Sequence, residues 1–139
     1  MESDVILYPI LAHTLLVAAM YVVLAIRKAA AIKAGLVDRK AAALDNHAWP
    51  AEVRKVTNNI TNNFESPVLF YGVVFTTYLL GAAGSLAVGL SIAYVVLRYI
   101  HSYIHIGSNY VPHRLRIFSL SLLVILALAA QTAMAVVNT

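Results

Sequence analysis

Arg54, Asn58, Asn62 and Glu65 follow one another at intervals of four, four and three residues. On a helix that spacing sets a guanidinium, two amides and a carboxylate along one face. A second set lies in "LRYIHSYIHIGSNYVPHRLR". There Arg98, His101 and His105 again share a helical face, and Arg114 follows a turn marked by Gly107 and Pro112. Both sets border long apolar segments, where charged groups need partners. Glu65 is therefore expected to meet Arg98 or Arg114. Cations, amides and imidazoles at one depth suit a pocket for a polar anion entering from the aqueous side, beside lipid that can hold an apolar ligand. The same Arg–Glu pairing could also do no more than lock helix packing.

Other chemistries fit less well. His101 and His105 stand at i and i+4, and with Glu65 they would make a two-His, one-carboxylate set. Five histidines in all are too few for the multi-cluster iron sites of membrane oxidases, so no metal is expected. The absence of cysteine excludes a protein thiol, and any sulfur chemistry would have to come from a substrate. No Ser–His–Asp set is apparent.

The elements that must position these residues are membrane helices. Of 139 residues 61% are hydrophobic and 12% charged, with a mean hydropathy of +0.80. A soluble domain would be nearer half apolar and a quarter charged. Apolar stretches at 5–26, 68–83, 86–97 and 117–137 account for the excess. About 20 apolar residues in a helix cross the hydrocarbon core, and lipid requires that backbone groups be bonded within each segment. The expectation is a single all-α domain with helices over 5–30, 52–82, 86–106 and 114–137, forming an up-down bundle of four transmembrane helices. The acidic start "MESDV" and the long first run argue for a retained span rather than a cleaved signal peptide. Seven of the ten Lys and Arg residues lie between the first two spans, and Arg98, Arg114 and Arg116 flank the third connection. The second connection has none, and Glu2 and Asp4 mark the N-terminus. The positive-inside rule then puts both termini outside and both polar connections in the cytoplasm. It also explains the net charge of +4 without a nucleic-acid partner. Trp49, before Pro50, is placed at headgroup level, and glycines 81, 84 and 89 suit a tight outer turn and close helix contact. "NIT" at 59–61 matches a glycosylation sequon but falls on the cytoplasmic side.

Taken together, Asn62-Asn63-Phe64-Glu65 at the start of the second helix, the Arg98, His101, His105 face and Arg114 opening the fourth helix resemble the MAPEG family, the membrane-associated proteins of eicosanoid and glutathione metabolism. The resemblance covers most of the chain and is strongest to the bacterial branch. It implies a homotrimer in a bacterial inner membrane, with cytoplasm-facing sites between neighbouring subunits. It implies glutathione as the thiol cosubstrate, a lipophilic electrophile as the second substrate, and Arg114 as the group that stabilises the thiolate. By position Asn62 and Glu65 would hold the peptide, while Arg98, His101 and His105 line the site. Asn58 and Thr61 stand where glutathione-using members carry arginines, and the nearest cations, Arg54 and Lys55, lie one turn further out. Losing those arginines removes charge-assisted hydrogen bonds to the peptide's carboxylates.

Two other functions are compatible with the residues. A small four-helix multidrug-type transporter would use Glu65 as its proton-exchanging carboxylate, and proton-coupled drug uptake lost in Glu65→Gln would mark it. A non-catalytic scaffold of the same fold would bind no thiol.

Overall fold

The computed structural model describes residues 3–138; Glu2 lies outside them. A 3-10 turn at Ser3–Leu7 leads into helix α1, Tyr8–Lys33. A one-turn helix α2 (Arg39–Ala42) and a short 3-10 turn follow in the first connection. Three long helices complete the chain: α3 (Ala51–Leu79), α4 (Ser85–Ile106) and α5 (Val111–Val137). The punctuation is chemical. Proline occupies the first turn of α1 and α5 and caps α3, positions where its missing N–H costs nothing. Gly35 and Gly81 adopt φ of +70° and +66° just past α1 and α3. Each lets the chain reverse so that the next N–H, of Leu36 or Ala82, bonds back to the carbonyl of Ala31 or Thr77 at 3.0 Å.

Among the described residues, Asp4–Lys33, Ser85–Ile106 and Val111–Val137 are helical, long and apolar enough to cross a bilayer. Helix α3 has the length but not the composition, because its first half carries Glu52, Arg54, Lys55, four asparagines and Glu65. It touches each of the other long helices, and α4 packs most extensively on α5.

Two apolar clusters flank a polar layer. Ile6, Phe70, Val74, Ala87, Tyr94, Ile125 and Leu128 fill one end, with the Phe70 and Tyr94 rings stacked at 4.3 Å. In that end a hydrogen bond of 2.6 Å joins Thr77 on α3 to Thr132 on α5. Leu16, Met20, Val56 and Ile60 fill the space between α1 and α3 toward the basic end. Gly84 and Gly89 do not act as expected: a Cβ at either would meet nothing within 4 Å. Within one chain they mark no close helix approach.

The basic end is stitched by Arg27. Its Nη1 donates to the Glu52 carbonyl at 2.7 Å and its Nη2 to the Ile106 carbonyl at 2.9 Å. The late part of α1, the start of α3 and the end of α4 therefore lie together, so these helices alternate in direction. Lys55 Nζ adds a bond to the Gly107 carbonyl at 3.2 Å. Two cations thus satisfy carbonyls that α4 leaves open at its negative end. Arg27→Ala is expected to cost about 1–2 kcal/mol, since two hydrogen bonds from a charged donor are lost at a partly solvated site. Thermal unfolding in detergent, with Arg27→Lys recovering less than half of the loss, checks this.

Candidate functional site

The polar layer is built on Arg98, whose side chain is 0% exposed. Its Nη2 donates to Asn62 Oδ1 at 2.7 Å and to Asn63 Oδ1 at 2.8 Å, and its Nε to Asn63 Oδ1 at 3.3 Å. A third helix joins through His13, also fully buried, whose Nε2 lies 3.2 Å from Asn63 Oδ1. Asn63 is oriented unambiguously, because its Nδ2 faces the Asn59 carbonyl at 2.9 Å and Ser102 Oγ at 3.1 Å. Since Asn63 Oδ1 can only accept, His13 carries its proton on Nε2. Its Nδ1 then accepts from the Tyr71 hydroxyl at 2.5 Å. One asparagine thereby fixes α1, α3 and α4 around a single guanidinium.

A second guanidinium sits at the mouth of this layer. Arg114 is half-buried one turn into α5 rather than opening that helix. Its Nη1 donates to Asn109 Oδ1 at 2.6 Å and to His105 Nε2 at 3.3 Å. Arginine only donates, so His105 is neutral and protonated on Nδ1. Asn109 takes the left-handed conformation (φ 53°) and its N–H bonds to the Ile104 carbonyl at 2.7 Å. The turn between α4 and α5 therefore aims Arg114 as well as reversing the chain. Asn62, His101, Val111, Arg114, Leu115 and Phe118 line an open-sided chamber of about 160 Å³. The Phe118 ring lies 5.9 Å from His101 and 6.0 Å from the Arg98 guanidinium. Arg98 Nη1, His101 Nδ1 and His105 Nδ1 are buried with no hydrogen-bond partner.

The sequence-derived site is brought together in part. Asn62, Arg98, His101, His105 and Arg114 converge on this layer. Asn58 and Glu65 are exposed and Arg54 is half-buried, so their shared face forms the outer edge of α3. The expected ion pair of Glu65 with Arg98 or Arg114 is absent within the chain, and Arg98 bonds instead to neutral amides. The reason is rotational. The stripe that α3 buries runs through Val53, Val56, Asn59, Asn63, Ser66, Phe70 and Val74, one residue or about 100° from the stripe of Asn58, Asn62 and Glu65. His13, Asn59, Asn63, Ser102, Tyr71 and Asn109 carry no assigned role in the site from the sequence, although Asn63 lies inside the Asn62–Glu65 motif. The i, i+4 spacing of Asn59 and Asn63, in phase with Val56 and Phe70, is the signal that points to that pair. Among the described residues no three His, Asp or Glu side chains gather as metal ligands would.

Among the described residues, three helices apolar enough to cross a bilayer, with a buried polar layer beside a small polar chamber, define a helical multi-pass membrane protein. The MAPEG family model matches residues 5–134, and the chain belongs to that family. Comparison with curated proteins and with solved structures gave no match.

Proposed function

We propose that the chain is a thiol-dependent transferase or peroxidase that acts on lipophilic electrophiles. In this reading four helices cross a bacterial inner membrane with both termini outside, and three copies associate. The observation that carries it is charge: Arg114 lines the chamber, Arg98 lies buried behind its Asn62 wall, and no described carboxylate forms an ion pair with either. Two guanidinium groups beside one chamber, without a carboxylate in ion-pair contact, favour an anion there. The unpartnered Arg98 Nη1 supplies a donor for it.

Glutathione fits this site in charge. A chamber of about 160 Å³ takes the thiol end of the peptide and not the whole of it. The remainder lies against a neighbouring copy, whose approach would also cover Glu65 and the exposed Phe64, Val68 and Leu69 beside it. Arg114 stabilises the thiolate, since a nearby cation lowers a thiol's pKa and raises its reactive fraction. Asn62 and Glu65 hold the peptide backbone and amine, His101 lines the pocket, and Arg98 and His105 back its wall. Lys55 is engaged by Glu52 and Gly107, which leaves Arg54 to meet a peptide carboxylate in place of the arginines absent at Asn58 and Thr61. The thiol proton passes to solvent, sulfur bonds to the electrophilic carbon, and the leaving group departs with its electron pair.

Calorimetry of the detergent-purified protein with glutathione tests the reading. Saturable binding that disappears in Arg114→Ala and weakens in Glu65→Gln is expected. No binding at millimolar glutathione would instead favour a non-catalytic scaffold.

A further inference from the structure

We propose that the connection between α1 and α3 is a binding surface for the headgroups of anionic phospholipids, independent of the chamber and its chemistry. Three facts about residues 27–55 lead there. First, its carboxylates are committed: Asp38 Oδ1 accepts from the N–H groups of Lys40 and Ala41 at 2.9 and 3.3 Å, and Asp45 Oδ1 from His47 at 2.8 Å. Glu52 is held by Lys55 at 2.6 Å and by Arg27 at 3.4 Å. Lys33, Arg39 and Lys40 are left with no carboxylate partner among the described residues. Second, apolar side chains stand among these cations without cover. Leu44 is 95% exposed and Leu36 66%, and Trp49 is half-buried beneath Lys28, whose Nζ lies 4.7 Å from the ring. Third, a groove of about 440 Å³ runs between α1 and α3, lined mainly by Ala30, Ala34, Leu36, Pro50 and Val53.

The combination selects the occupant. A free phosphate would use the cations but gain nothing from bare leucines, whereas a lipid uses both: its phosphate meets the cations while its glycerol and upper acyl carbons take the groove. The connection follows directly on a membrane-compatible helix that ends at Lys33, which sets this surface at headgroup level.

Trp49 is the only tryptophan in the chain and reports on the surface directly. The full-length protein is reconstituted in zwitterionic vesicles containing an equal mole fraction of brominated-chain lipid, either anionic or zwitterionic. Quenching of Trp49 by the anionic lipid is expected to exceed that by the zwitterionic lipid several-fold. Each cation near an anionic surface is worth about fivefold in enrichment. The variant Lys33→Gln/Arg39→Gln/Lys40→Gln, altered only at exposed positions and checked for helicity by circular dichroism, should therefore lose most of that preference. Equal quenching in the native protein, or an anionic preference undiminished in the variant, would overturn the proposal. So would loss of the preference on adding inorganic phosphate at matched ionic strength, which would assign the cations to a soluble anion.

Discussion

Replacing Arg98 with alanine is expected to lower stability by about 3–5 kcal/mol, the largest single-residue effect in this chain. The side chain is fully buried and its four bonds to Asn62 and Asn63 oxygens join α3 to α4. Removing it leaves Asn62 Oδ1 without a donor and Asn63 Oδ1 with His13 alone, and opens a cavity in the polar layer. Arg98→Lys should recover little. A single ammonium cannot reproduce the planar fork through which Nε and Nη2 reach Asn63 while Nη2 also reaches Asn62. Thermal unfolding of the detergent-purified variants, followed by circular dichroism, measures this without reference to any activity. Asn63→Leu offers a parallel route: it removes the acceptor for both Arg98 and His13 and should fall in the same range.

Arg114→Ala is the converse case, with a small effect on stability and a large one on reaction rate. Arg114 is half-buried, and its partners Asn109 and His105 lie in or beside one turn. Its loss should cost about 1–2 kcal/mol of stability, since two part-buried hydrogen bonds from a charged donor go. On the proposed function it should also lower kcat/KM for thiol conjugation by roughly 10²–10³, as does removal of one preorganised donor from a developing anion. Arg114→Lys keeps the charge and should restore part of the rate. Steady-state kinetics with an activated aryl halide, alongside the thermal melts, separate the two effects.

The contrast shows what the sequence could and could not carry. The helices were legible because apolar runs and Gly or Pro punctuation act locally: Gly81 ends α3, and Pro112 starts α5 close to where its pattern begins. The polar stripe of α3 was read one residue out of phase. "NNITNN" places asparagine on two adjacent faces, and only the apolar rhythm of Val53, Val56, Phe70 and Val74 chooses between them. His13 could not be assigned from its own surroundings. Its partners, Tyr71 and Asn63, lie 58 and 50 residues away, and a lone imidazole in an apolar helix carries no local sign of them. Asn109 is a similar case, because its part in aiming Arg114 follows from a left-handed backbone that the sequence shows only as a turn. Arg98 and Arg114 were found because guanidinium groups bordering apolar segments stand out in any register. Their expected carboxylate partner was misplaced, because amide oxygens can satisfy a buried guanidinium as well, and Asn63 was already in phase with the buried face.

The central claim is that Arg114 and Arg98 make this chamber an anion site that favours a thiolate over a thiol. Ultraviolet difference spectroscopy of glutathione mixed with the purified protein, scanned across pH, tests it most directly. A thiolate band at neutral pH, saturating with glutathione and vanishing in Arg114→Ala, is the expected result. A bound thiol that ionises at the same pH as in free solution, in the native protein and in Arg114→Ala alike, would contradict the account.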